Sequence, residues 1–154
     1  MRRLFLLAIA ATALARGDTQ QDLIDLFASM ASALSESNPD VFLRAIDRSM
    51  PGYERFAANI YALATQYALS NSVEIISQKG DDRAQVVELD WLLDISGKGE
   101  SQVFVRREVM VKCRLERQKK KWRIVALDPA DFFAPPSSVG QAILPAAAFP
   151  GGSE

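Results

Sequence analysis

The chain has 154 residues, 49% of them hydrophobic and 24% charged, with a formal net charge of −1. That fits one ordinary domain and excludes both a disordered chain and a protein steered to nucleic acid by its overall field. One cysteine excludes an internal disulfide framework and a thiolate zinc site, and zero histidines exclude Ser-His and Cys-His nucleophile pairs, an imidazole base and a His-metal cluster. Any catalysis has to run on carboxylates, tyrosines, lysines or arginines, and nothing in the composition points to a cofactor or a metal.

The first residues are of a different kind from the rest. Arg2 and Arg3 precede an uncharged run, Leu4 to Leu14, and Ala13-Leu14-Ala15 supplies the small residues that a signal peptidase reads. This is the three-part pattern of a secretory signal peptide, with cleavage near Ala15. The apolar run is about half the length of a membrane-spanning helix, so no stable anchor is expected after cleavage. No cysteine lies near the cleavage point, which excludes a lipoprotein signal. Arg2-Arg3-Leu4-Phe5-Leu6 also resembles a twin-arginine core, although the minimal basic region and strongly apolar run suit the general secretory route. The expected location is periplasmic or secreted. Removing residues 1–15 takes two arginines and no acid, leaving 139 residues at a net charge of −3.

Thr19 reads as the N-cap of a first helix, whose apolar stripe is Leu23, Leu26, Phe27, Met30, Ala31 and Leu34. Asn38-Pro39 restarts a second helix, with Pro39 at its first position and Val41, Phe42, Ala45 and Ile46 as its apolar side. After Met50-Pro51-Gly52 a third helix carries Tyr53, Phe56, Ala57, Ile60, Tyr61, Ala64, Tyr67 and Ala68 along one face.

From Ser72 the period becomes two. Residues 73–79, 84–96, about 101–117 and 122 to Pro129 read as four strands, with turns at Gly80-Asp81-Asp82, Gly97-Lys98-Gly99-Glu100 and Gln118 to Lys121. In the two long strands Val87, Leu89, Trp91, Leu93 and Ile95 share the inward parity with Val103, Val105, Val109, Val111, Cys113 and Leu115. That parity gives Cys113 a buried position. Burying both faces together requires paired residue numbers with an even sum; a sum of 196 sets Asp90 beside Arg106 and Leu92 beside Phe104 on the outer face. The predicted fold is α+β: three N-terminal helices packed on a strongly curved four-stranded antiparallel sheet. From Ala134 on, four prolines and the single charge of Glu154 mark an irregular tail, in which Ile143, Leu144 and Phe149 are the residues able to dock.

This order of elements, closing in Lys120-Lys121-Trp122-Arg123-Ile124-Val125, resembles the nuclear-transport-factor-2-like superfamily over about residues 19–133. That superfamily has a cystatin-like cone and includes SnoaL-like and ketosteroid-isomerase-like proteins. The resemblance implies a bent sheet wrapped round the helices, with a pocket at the open end. It also implies tests of activity. Scytalone-dehydratase-like sites use histidines, which are absent from this chain. Ketosteroid-isomerase-like sites need a buried carboxylate base with a Tyr and Asp oxyanion hole, and epoxide-hydrolase-like members use an Asp-Arg-Asp array. Here Glu88, Asp90 and Asp94 all fall on the outward parity.

The remaining candidates each carry a functional and a structural reading. Arg107 interrupts the inward face between Val105 and Val109, either to hold an anionic ligand in the pocket or, structurally, through a bulge that turns it outward or an ion pair with Asp25, Asp47 or Glu54. Tyr53, Tyr61 and Trp91 are candidates to line the pocket, or are ordinary packing residues. Asp128, at inward parity before Pro129, is the weak candidate for a catalytic base, or else a turn residue. The basic run 114–123 reads as a solvated hairpin tip, with Trp122 at core parity and lysines that discourage edge pairing. Leu92, Phe104 and Met110 on the outer face are the expected contact of a homodimer. The expected role is non-enzymatic binding of a small ligand or a protein partner. The alternative is a SnoaL-like or isomerase-like enzyme moving protons with Asp128, the tyrosines and Arg107.

Overall fold

Three helices precede four strands, and their apolar faces meet in one core. The computed structural model describes residues 2–136, with side chains from Asp18 onward. Helix α1 spans Arg2–Ser35, α2 Pro39–Arg44 and α3 Tyr53–Gln66. Strands β1 (Tyr67–Gly80), β2 (Ala84–Gly97), β3 (Phe104–Gln118) and β4 (Lys121–Asp128) form an antiparallel sheet in the order β1-β2-β3-β4, followed by a short 3-10 helix, Ala130–Phe133. The tail residues Ile143, Leu144 and Phe149 lie outside the described residues. Among the described residues no helix is long and apolar enough to cross a membrane.

Leu23, Phe27, Met30 and Leu34 of α1 are buried as the 3- and 4-residue spacing requires, with Leu26 and Ala31 at the margin. Thr19 is not an N-cap. The helix runs through it without a break, and Thr19 is itself buried with its hydroxyl unpartnered among the described residues. Asn38 does cap α2, its side chain accepting from the Val41 amide at 3.3 Å. The chain leaving α2 then bonds to β4 in parallel: Ile124 N donates to Ala45 O and Asp47 N to Ile124 O, both at 2.8 Å. Gly52, at φ 73°, supplies the left-handed turn into α3, whose buried side is Phe56, Ile60, Leu63 and Ala64.

The first strand begins at Tyr67, six residues before the start its alternation predicts, because α3 passes into it without a loop. Asn71, in this early stretch, joins three elements. Its amide donates to Ala31 O (2.8 Å) and Ser35 Oγ (2.7 Å) of α1, and its carbonyl accepts from Trp91 Nε1 (2.9 Å) of β2. A bulge at Ile76 interrupts β1 and leaves that side chain exposed. At the β1–β2 turn Gly80 has a φ of 143°, and a Cβ there would sit 2.1 Å from the Ala84 carbonyl oxygen, so only glycine fits.

From Val105 on, the parity of β2 and β3 is as predicted, with Val87, Leu89, Trp91, Leu93, Ile95, Val111, Cys113 and Leu115 fully buried and Val105 and Val109 partly so, whereas Val103 lies in the loop before β3 and is exposed. The register is not as predicted. Paired numbers sum to 200, so Arg106 faces Asp94, Leu92 faces Glu108, and Phe104 faces Ser96. The sum of 196 would set Glu88 directly opposite Glu108, a repulsive pair, whereas the observed register sets Glu88 opposite Lys112. It also lets Arg106 grip both oxygens of Asp94 at 2.8 and 3.0 Å, which lowers the Asp94 pKa and raises that of Arg106. The connecting loop, 98–103, is correspondingly longer than the predicted four-residue turn.

Candidate functional site

The inner surface of the curved sheet is where a pocket is expected, and an aromatic cluster packs against it. Phe133, from the 3-10 helix after β4, is fully buried. Its ring lies 5.0 Å from Trp91, 5.5 Å from Phe42, 5.7 Å from Phe56 and 4.9 Å from Phe132, each edge to face. Such pairs contribute about 0.5–1.5 kcal/mol each beyond the area they bury. Trp91 therefore does not line an open pocket; it is a core residue, and its ring nitrogen is already taken by Asn71.

Arg107 holds this aromatic segment in place. Neither structural alternative of the sequence reading applies. The β2–β3 ladder runs through the Leu93–Arg107 pair without a bulge, and among the described residues Arg107 forms no ion pair. Instead its Nη1 donates to the carbonyls of Phe132 (2.7 Å) and Ala134 (2.6 Å). The Tyr67 hydroxyl adds a longer bond to Pro136 O at 3.4 Å. The side chain is half-buried, and burial lowers its pKa from the ordinary guanidinium value. It still donates as a cation, because that value lies far above neutrality. Both of the carbonyl bonds are made by Nη1.

Asp128 faces solvent, not the interior, which corrects its expected parity. A bulge at Val125 lets Arg114 pair with Ala126 and Leu115 with Ile124, so beyond it Leu127 points inward and Asp128 outward. Among the described residues no carboxylate is buried, and no group of three or more His, Cys, Asp or Glu is arranged to hold a metal. Cys113 is buried as expected, and desolvation pushes its thiol up to about 12.

Tyr53 and Tyr61 come together elsewhere, in an open groove of about 740 Å³ between α2, α3 and the β3–β4 hairpin. The Tyr61 hydroxyl donates to Asp40, which raises the Tyr61 pKa. Asp47 accepts from Ser49 N (2.7 Å), Ser49 Oγ (2.5 Å) and Gln118 Nε2. These bonds lower its pKa to about 2, led by the Ser49 hydroxyl, with a smaller attraction from Arg123. An NMR titration is expected to find the Asp47 midpoint near 2. A depressed carboxylate pKa stabilises the fold above the unfolded value of about 3.9 and stops doing so as pH falls towards 2. Arg44, Arg48 and Arg123 complete the groove.

A second depression of about 460 Å³ lies across the hairpin tip, with Lys120, Lys121 and Trp122 on one side and Asp22 and Asp25 on the other. Arg44 and Arg123 border both depressions. Arg123 is fixed there by a 2.6 Å bond from Nη1 to the Arg44 carbonyl. Trp122 is buried as its parity predicts, under the Arg117 guanidinium at 5.7 Å. The sequence gives no sign of this groove, because its walls come from four elements. The one trace of the aromatic segment in the sequence is the Phe132-Phe133 pair that follows the last strand.

No protein-family profile matches the sequence, and no curated protein matches it. Solved structures do match the fold. A conserved protein from Planctomyces limnophilus superposes with a TM-score of 0.64 at 8% identity, covering 70% of this chain and 91% of that one. A hexachlorocyclohexane dehydrochlorinase superposes at 0.61 with 12% identity, covering 75% and 86%. A nuclear-transport-factor-2-like superfamily protein from Salmonella enterica superposes at 0.59 with 13% identity, covering 80% and 95%. The predicted cone is thus the observed fold, an unclosed α+β sheet packed with helices. Identity at this level speaks for fold alone, and the cone hosts enzymes and other proteins alike.

Proposed function

We propose that this cone domain is exported and works by binding a protein partner at its surface, without turning over a substrate in its interior. The observation that carries this reading is the aromatic cluster, in which Phe133 occupies the space between sheet and helices and Arg107 holds it there. A ligand in the interior would compete with that cluster for space, and a proton-transfer site would also need an inward carboxylate, which Asp128 does not provide. Export rests on the basic, apolar and small-residue pattern of residues 1–15. Native mass spectrometry of the protein purified from its source tests the proposal. The expected mass is that of a chain without residues 1–15 and without a retained small molecule. A stoichiometric organic ligand, or a chain that keeps its first residues, contradicts it.

One partner is a second copy. On the outer face of the sheet Phe104 is 60% exposed and Met110 50%, with Leu92 half-buried on the diagonal from Met110. Leu92 and Phe104 are not cross-strand neighbours, so the apolar surface is spread along β3 and is not gathered at one spot. Light scattering is expected to give a dimer that Phe104→Asp with Met110→Asp converts to a monomer. A wild-type monomer at high concentration contradicts this contact.

A further inference from the structure

Five cations crowd the two depressions beside the hairpin tip: Arg44, Arg48, Lys120, Lys121 and Arg123. Among the described residues none of them has a carboxylate oxygen within ion-pair distance; the ion pairs formed are Arg106–Asp94, Arg114–Glu116 and Arg117–Asp22. Four aspartates share the lining, so the cations exceed them by one. Asp40 accepts from Tyr61, Asp47 from Ser49 and Gln118, Asp25 from Gln21 at 2.9 Å, and Asp22 pairs with Arg117 at 3.6 Å. Unpaired cations therefore line a concave surface on a chain whose overall charge is negative.

We infer that the two depressions sharing the Arg44–Arg123 ridge form a docking groove for an extended acidic segment of a partner protein. The inference rests on the reading that the domain works by binding proteins, and it supplies the place and the partner's chemistry. Guanidinium groups bind carboxylates through paired, charge-assisted bonds, and Arg44 and Arg48 both have theirs free for such contacts. An extended peptide sends side chains to alternate sides about every 3.3 Å, so its carboxylates can meet the arginines while other side chains lie on Tyr53, Ala57 and Tyr61 of the groove. A flat bilayer does not follow a concave surface.

Fluorescence anisotropy with a labelled octaglutamate peptide on the full chain tests this. The expected result is saturable binding that weakens with salt and falls about tenfold or more in Arg44→Gln with Arg48→Gln. Lys112→Gln, on the outer face of the sheet, is expected to bind like wild type. Both variants alter exposed side chains, and an unchanged melting temperature verifies that they fold. Absence of peptide binding, equal loss in Lys112→Gln, or tighter binding of polyphosphate or of phosphatidylglycerol vesicles through the same two arginines overturns the inference. None of those results alters the interior, so a ligand-free native mass would still leave the broader reading of a surface-binding domain in place.

Discussion

Phe133→Ala is expected to lower the melting temperature by roughly 10–20 °C, the largest effect of any single truncation in the 3-10 segment. Phe133 is completely buried and touches four other aromatic rings, so its removal leaves a cavity that rigid neighbours on both strands and helices cannot close. Phenylalanine-to-alanine changes at such sites cost about 3–5 kcal/mol, a large part of the roughly 5–15 kcal/mol that holds a domain folded. Phe132→Ala is a graded control, since among the described residues its one ring contact is Phe133. Differential scanning calorimetry of the two variants checks the order; equal and small losses would mean that the aromatic cluster is not what organises the interior.

The second large effect is expected from Arg107→Met. Methionine keeps much of the packing but removes the donor that the Phe132 and Ala134 carbonyls share. Breaking hydrogen bonds to a charged partner and leaving part-buried acceptors costs about 1.5–3 kcal/mol. The loss should be local as well as global. Hydrogen exchange is expected to accelerate at the Phe132 and Ala134 amides, which bond within the 3-10 turn, while the β2–β3 ladder keeps its protection. Unchanged stability with unchanged exchange would show that Arg107 is not a clamp and would return it to the list of ligand-holding residues.

Strand parity was legible because a one-residue slip would expose every inward side chain of β2 and β3. The register was not fixed by parity alone. It depended on excluding Glu88 opposite Glu108 in favour of Asp94 with Arg106, a comparison the sequence permits but which favourable pairs at the other register concealed. Asp128 was misplaced for a different reason. One inserted residue at Val125 inverts the alternation, and no feature of Trp122 to Asp128 announces the bulge. The restart of a helix at Asn38-Pro39 was readable because its signal is local, Pro39 standing at the first helical position. Arg107, Asn71 and Phe133 act across 25, 40 and many more residues of chain, so their partners emerge only when the sheet has curled over the helices. For the same reason the basic run at the hairpin reads as a solvated tip until the end of α2 and the segment after it bring Arg44 and Arg48 beside it.

Uptake of a small apolar probe is the most direct test of a filled interior. Benzene or xenon enters a dry apolar cavity when one exists and has nowhere to go when the core is packed. Titrated into wild-type protein and followed by NMR, either probe is expected to leave Trp91, Phe42 and Phe56 unperturbed, while in Phe133→Ala it shifts their resonances and raises the melting temperature. Saturable uptake by the wild-type protein, with shifts at those same rings, would contradict the account and restore the interior as a ligand site.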